Sequence, residues 1–380
     1  MIILQSFIFK DKKKTMKILL ITSTISAFCL FGIKGFSQND DPLKNDSRGV
    51  FRVKTKEEMA KNEDKLTGKG RAEFEKAKNE FKKINKPTFE IAPNEASNRD
   101  QRELLGVPEN QKPDSKLAEE QNKENKRNEK EFKDKLKSLN IEASSLNFTN
   151  TYNPPELTIT TFVSCSWNKS YLTPIRDQKS CGSCWAFAAC AAYEHASKKF
   201  YGANLDLSEQ DALACGKSCS GEDAGTCGGG WSDKVFAYMK CTGLASESSY
   251  AYTATNTPCY NRSKFKWAYT WGQIFPGRFP TVNEIKNYVT TFGAVVTYLK
   301  AGQSTFINYG GGVYNGYPSN TFNNIDHAVA IVGWCDSQNA WIIKNSWGTD
   351  WGPYGGYGYV GYNQCNIGKY VYWVSPAFPN

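Results

Sequence analysis

Of the 12 cysteines in this 380-residue chain, all but Cys29 lie from Cys165 onward. A chain that gathers its cysteines in one stretch confines its cross-linked, folded body to that stretch. The oxidised state that such bridges need belongs to a secreted or periplasmic, extracytoplasmic setting. A cytosolic zinc site is the competing explanation, but no pair of cysteines has a matching pair or a histidine at ligand spacing. Neither a metal nor any other cofactor is therefore expected.

Upstream of the cysteines the chain changes character. An apolar run from Lys17-Ile18-Leu19-Leu20 to Phe31 follows basic residues and leads into Gly35 and Ser37, which reads as a signal peptide over residues 1–37, with Met16 as an alternative start. It is too short and too punctuated for a stable membrane anchor, and bulky Phe28 argues against Cys29 as a lipidation site. Residues 38–154 are rich in Lys, Glu, Asn and Asp and hold too few aromatics for a large core. Two tracts, Lys56 to Ile84 and Ser115 to Leu139, carry the pattern of charged helices, with Phe74, Phe81, Phe132 and Leu136 as sparse apolar contacts. Pro108 and Pro113 break between them. The net charge of +9 sits mostly here, since roughly 16 Lys and Arg face roughly 14 Asp and Glu from Pro155 onward. A nucleic-acid partner is not expected on that balance. Pro154-Pro155 is the expected processing boundary, with the folded body over 155–380.

Within the body, Gln178-Lys179-Ser180-Cys181-Gly182-Ser183-Cys184-Trp185-Ala186-Phe187 sets a cysteine between a small-residue turn and an alanine-rich helical run that Gly202 stops. Cys184 falls in the first helical turn, where free backbone N–H groups and the helix dipole favour thiolate over thiol. A thiolate nucleophile needs an imidazole, and the chain has 2 histidines. His195 is eleven residues on, about three turns and roughly 16 Å along the same helix, too far to share a proton. His327 opens the apolar run Ala328-Val329-Ala330-Ile331-Val332, which reads as a buried strand. Lys344-Asn345-Ser346-Trp347-Gly348 then offers an amide able to orient the ring. Taken singly, each has a structural explanation: cysteine is among the most buried residue types, a lone histidine before a strand is usually a core residue, and Asn345 alone suits a turn. Their combination is what points to chemistry.

From about Trp167 to the C-terminus the chain resembles the papain-like, cathepsin-type cysteine peptidases. The resemblance rests on Cys181-Gly182-Ser183-Cys184-Trp185, Leu207-Ser208-Glu209-Gln210, Cys227-Gly228-Gly229-Gly230, Gly311-Gly312-Val313-Tyr314, Asp326-His327-Ala328 and Lys344-Asn345-Ser346-Trp347-Gly348, all in one order. It implies Cys184 as nucleophile, His327 as acid/base partner, Asn345 as the group orienting the imidazole, and Gln178 as a side-chain donor to the oxyanion beside the Cys184 N–H. Trp347 would shield the His/Asn hydrogen bond. Gly229 and Gly230 would present backbone to an extended peptide, with Trp231 and Ala328 shaping the pocket for the second residue before the scissile bond. It also implies disulfides Cys181–Cys227 and Cys215–Cys259, and a bridge from Cys365 for which Cys335 is the candidate partner. Residues 38–154 occupy the place of the family's inhibitory propeptide, without the helix signature of many such propeptides.

Helical patterns over Ser208 to Ala214, Ser232 to Lys240 and Asn283 to Thr291 come first. Strand patterns over Ala294 to Leu299, His327 to Trp334, Ala340 to Lys344, Gly356 to Val360 and Tyr370 to Val374 follow. This order predicts an α+β architecture, a helical half and a β-barrel-like half with the cleft between them. The expected function is that of a secreted cysteine endopeptidase made as a zymogen, with a peptide or protein substrate. An exopeptidase, a thiol acyltransferase or a catalytically silent peptide-binding homologue would share the scaffold.

Overall fold

The computed structural model describes residues 54–108, 115–139, 165–167, 169–318 and 324–377. The signal peptide, Met16, Cys29 and the Pro154-Pro155 boundary lie outside them. All the described residues belong to one compact unit, Arg48–Asn380.

The sheet-rich half is built around the apolar run after His327. In chain order the strands are β1 (Phe89–Ile91), β2 (Cys165–Trp167), the short pair β3 (Gly225–Thr226) and β4 (Gly229–Gly230), β5 (Ala268–Gln273), β6 (Val295–Leu299), β7 (Tyr309–Tyr314), β8 (His327–Cys335), β9 (Ala340–Lys344), β10 (Tyr357–Gly361) and β11 (Val371–Pro376). They run β1-β7-β10-β9-β8-β6-β11-β5 across the large sheet, with β2 also on β8. Every residue of β8 is buried, which explains a continuous apolar run in place of alternation. One register matters for the site: Leu299 pairs with His327 and Tyr298 with Ala328. Trp341, Trp347, Trp351 and Trp373 are fully buried within this half, each contributing about 3 kcal/mol or less through removal of apolar surface from water.

The helical half is led by Cys184–Tyr201, which ends at Gly202 with φ 64°, a left-handed position suited to glycine. Glu209–Cys215 is capped by the Ser208 side chain. Ser232–Cys241 has no side-chain cap; Ser232 Oγ instead donates to the Trp185 carbonyl. Val282–Phe292, which begins in a Thr281/Glu284 capping box, packs instead on β6, β8 and β11 of the sheet-rich half.

The upstream segment docks on this body. Helices Lys56–Ala60, Gly68–Phe81 and Gln101–Leu104, strand β1 and a long helix, Ser115–Ser138, all form. Strand β1 adds to the edge of β7. Phe74, Phe132 and Leu136 are buried, and Phe81 meets Phe89 edge to face.

The disulfides correct one expectation. Cys181–Cys227 and Cys215–Cys259 form as expected. Cys335 pairs with Cys165, not Cys365, because β2 lies antiparallel on β8 with those two residues in register. Cys365 is free and buried, as is Cys190, and Cys219 joins Cys241.

Candidate active site

Cys184 is the first residue of its helix, after the turn Cys181-Gly182-Ser183. The Ala328 N–H, next to His327 at the start of β8, reaches its Sγ at 3.4 Å. The Trp185 side chain fastens the turn from the other side by donating to the Gly182 carbonyl.

Asn345 follows β9 directly. Its Oδ1 accepts from the Ser346 N–H at 2.8 Å, which identifies that atom as oxygen, and it lies 2.8 Å from His327 Nε2. An oxygen already accepting from one N–H can only accept from a second, so Nε2 carries the hydrogen and Nδ1 is left as the base. Trp347 covers the ring at a centroid distance of 4.6 Å. His195 takes no part: it is buried elsewhere on the helix and accepts the Ala294 N–H through Nδ1.

Gln178 is held at both ends. Its N–H donates to the Ser346 carbonyl and its Oε1 accepts from Ser346 Oγ at 2.7 Å. Nε2 then donates to the Cys181 carbonyl at 3.0 Å and to the Leu104 carbonyl at 3.1 Å. Tyr252 binds the ends of this turn together, since its hydroxyl donates to the Gln178 carbonyl at 2.8 Å and lies 2.6 Å from Ser183 Oγ.

Leu104 opens the run Leu104-Leu105-Gly106-Val107, which crosses the cleft. The Trp347 indole N–H also donates to its carbonyl. The Gly106 and Val107 N–H groups donate to the Asp326 carbonyl on the sheet side, while the Gly230 N–H donates to the Gly106 carbonyl on the helical side. Gly106 lies so close that a Cβ there would stand 1.9 Å from the Gly182 carbonyl oxygen. Val107 enters the apolar cluster that includes Cys184, Tyr298 and Ala328, with half-buried Trp231 against it. Every site residue singled out from sequence is therefore on one cleft. The sequence reading missed the occluding run itself and Tyr252, and it quoted Asp326 and Ser346 within motifs without giving them a role. The one available signal was an apolar patch, Leu104 to Pro108, in an otherwise charged stretch.

Burial sets the protonation states. Burial pushes the Cys184 thiol up to about 12, against the smaller opposing effects of the Ala328 and Gly106 N–H groups. Burial also pulls His327 down to about 4, although the Asn345 hydrogen bond, the Asp326 charge and the Leu104 backbone all work the other way. The helix N-terminus favours a thiolate, as its position predicts, but desolvation wins while the run is in place. The covered pair is a neutral thiol beside a neutral imidazole. Among the described residues no group of three or more His, Cys, Asp or Glu could hold a metal, and no helix is long and apolar enough to cross a membrane.

A cysteine at a helix N-terminus, facing an amide-held histidine across two unlike halves, defines a Cys/His/Asn cleft of the papain type. Residues 162–375 match the papain family cysteine protease family, and the chain belongs to it. A cysteine protease of Blomia tropicalis is 39% identical over 210 residues, 53% of this chain and 62% of that protein. Human cathepsin L2 is 36% identical over 202 residues, 50% of this chain and 58% of its own length. The chain thus spans less than two thirds of these relatives. Among solved structures, one determined for antibody cross reactivity between the mite allergens Blo t 1 and Der p 1 has a TM-score of 0.58 at 26% identity, covering 90% of this chain and 100% of that chain. The digestive procathepsin L2 proteinase of Tenebrio molitor larval midgut shares the fold, with a TM-score of 0.59 at 22% identity over 83% of this chain and 94% of that one.

Proposed function

We propose that the protein is a cysteine endopeptidase made as an extracytoplasmic zymogen. The observation that carries this reading is a peptide carbonyl, that of Leu104, accepting a hydrogen bond from Gln178 Nε2 across the Cys184/His327/Asn345 cleft. A substrate carbonyl that reached Gln178 Nε2 in its place would meet a donor suited to a developing oxyanion, and in this reading the Cys184 N–H joins it there. Once the run leaves, Cys184 passes its proton to His327 Nδ1 and Sγ attacks the carbonyl carbon as thiolate, the carbonyl π electrons moving to oxygen. Collapse of that oxyanion breaks the C–N bond as Nδ1 gives the proton to the leaving nitrogen; water, deprotonated by the same Nδ1, then adds to the thioester, and the C–S bond breaks with the proton returned to sulfur. Trp347 keeps water from the Asn345 hydrogen bond. A thiol acyltransferase would follow the same course until an amine replaced water. Four disulfides support an oxidising compartment.

Val107 supports a specificity. It occupies apolar surroundings shared with Ala328, Tyr298 and Trp231, where a Leu, Val or Phe of a substrate gains about 1.5–3 kcal/mol from burial and an unpaired cation would be penalised. The carboxyl near Tyr298, Asp233, is half-buried and its pKa is raised by desolvation. A positional peptide library is expected to favour Leu, Val or Phe over Arg at the second residue before the cut. Arg favoured there would point to Asp233 as its partner and overturn this part.

The main test is labelling with an epoxide thiol-peptidase inhibitor before and after residues 54–108 are cut away, followed by mass mapping. Modification of Cys184 only after the cut is expected. Equal labelling of the intact chain would refute occlusion, and no labelling in either state would refute the peptidase reading.

A further inference from the structure

The helix Ser115–Ser138 lies downstream of the occluding run and is held by a different set of contacts. The segment before it is fastened by apolar and polar groups together: Phe89 packs on Tyr314 beside the β1/β7 pairing, Arg99 pairs bidentately with Asp177 at 2.7 and 2.8 Å, and Asp350 accepts from Lys54, Asn62 and the Glu95 N–H. The helix instead covers aromatic side chains of β5, β11 and the helix Val282–Phe292. Phe132 and Leu136 have no exposed surface, while Asn125 and Asn128 are 5% and 6% exposed. Phe132 packs on Phe292 at 5.1 Å and Phe200 at 5.5 Å.

Its polar contacts reach into the aromatic core of the body. Asn125 Oδ1 accepts from the buried Trp373 indole N–H at 2.7 Å, Asn125 Nδ2 donates to the Tyr288 hydroxyl, and Asn128 Nδ2 donates to the Trp271 carbonyl at 2.8 Å. Gly272 is bare where Asn125 enters, since a Cβ there would meet its Oδ1 at 2.1 Å. The opposite helix face carries the solvent-exposed pairs Lys123–Glu119 and Lys130–Asp134. Losing the helix would uncover Phe292 and Trp373, which stack at 3.9 Å beneath it, and would leave the Trp373 N–H without its acceptor. Opening the cleft requires none of that, because the occluding run ends before the helix begins.

We infer that Ser115–Ser138 is a permanent part of the active enzyme: activation cuts the chain N-terminal to this helix, which stays covalently attached against β5, β11 and the helix Val282–Phe292. This rests on the zymogen reading and displaces Pro154-Pro155 as the boundary of the active body.

The test uses the full-length chain, brought to activity by self-cleavage or by limited digestion with a broad-specificity protease. Intact mass is measured on the species whose Cys184 carries the epoxide label. A labelled polypeptide that includes residues 115–138 is expected, and one that begins beyond Leu139 overturns the inference. Phe132→Ser, and the milder Asn128→Ala should the first variant not fold, are processed alongside. A retained helix requires the processed variant to melt lower than processed wild type, by about 3 °C or more. Identical melting points would show that the helix had been shed. Should no label attach to Cys184, the peptidase reading fails, while the mass of the cleaved body and the melting shift still decide the fate of the helix.

Discussion

Asn345 settles which nitrogen of His327 is free, so its replacement should cost orientation and leave the base present. Asn345→Ala is expected to lower kcat less than His327→Ala, and Cys184→Ala to abolish turnover without loss of the fold, as read by kcat and circular dichroism. Tyr252 offers a subtler case. Removing its hydroxyl breaks the clasp on the turn that carries Gln178 and the Cys184 N–H, so Tyr252→Phe should reduce kcat by about tenfold or less at unchanged KM, the scale of one buried hydrogen bond. Protonation gives a third expectation. His327 is a base pulled from 6.5 to about 4 under the occluding run, so the covered state holds its stability above pH 6.5 and loses it as pH falls towards 4. The Asp177 carboxyl is held below its usual 3.8, its burial outweighed by the Arg99 pair, so that contact fails only at lower pH. The rate at which the cleft opens should therefore climb between pH 6.5 and 4, and a flat profile there would contradict the assignment. Cys184, His327, Asn345 and Gln178 were legible because motif spacing carries them. Tyr252 was not, since a hydroxyl that acts by reaching across 74 residues leaves no local pattern.

Among elements, the helices with clear stops and the apolar strands were readable to within one or two residues. The strand β7 was not, because Gly310, Gly311 and Gly312 remove the side chains by which a strand is recognised; Gly312 takes φ 76°, a conformation that favours glycine. Strand β1 was equally hidden: three residues gain strand geometry only by pairing with β7. The Cys335 pairing failed for a related reason, since register between β2 and β8 is a tertiary fact. At this scale Gly106 is the critical residue of the occluding run. Gly106→Ala places a methyl against the Gly182 backbone, where neither side can yield, and should convert the full-length chain into an enzyme that cleaves a small peptide before any processing. Peptidase assay of the uncut variant, with its mass verified, checks this.

On the scale of the molecule, the two halves and the upstream segment are joined by long-range ties that composition only hinted at. The Cys165–Cys335 bridge closes a span of 170 residues, and its loss in Cys165→Ser is expected to cost about 2–4 kcal/mol, measurable by denaturant unfolding under non-reducing conditions. The charged stretch builds only a small core of its own, Leu66, Phe74 and Ala77 with Ile91 against them, and otherwise borrows the core of the body through side chains such as Phe132 and Leu136. The route of the occluding run has a kinetic corollary. While Leu104-Leu105-Gly106-Val107 is continuous with the rest of the chain, it meets the cleft at an effective concentration that no free peptide would match, so weak contacts suffice to keep the enzyme shut. A single cut turns that tethered contact into an ordinary bimolecular one. Freshly cut enzyme kept concentrated should still be largely silent and should gain activity on dilution, which makes the volume into which it is released a control on its proteolysis.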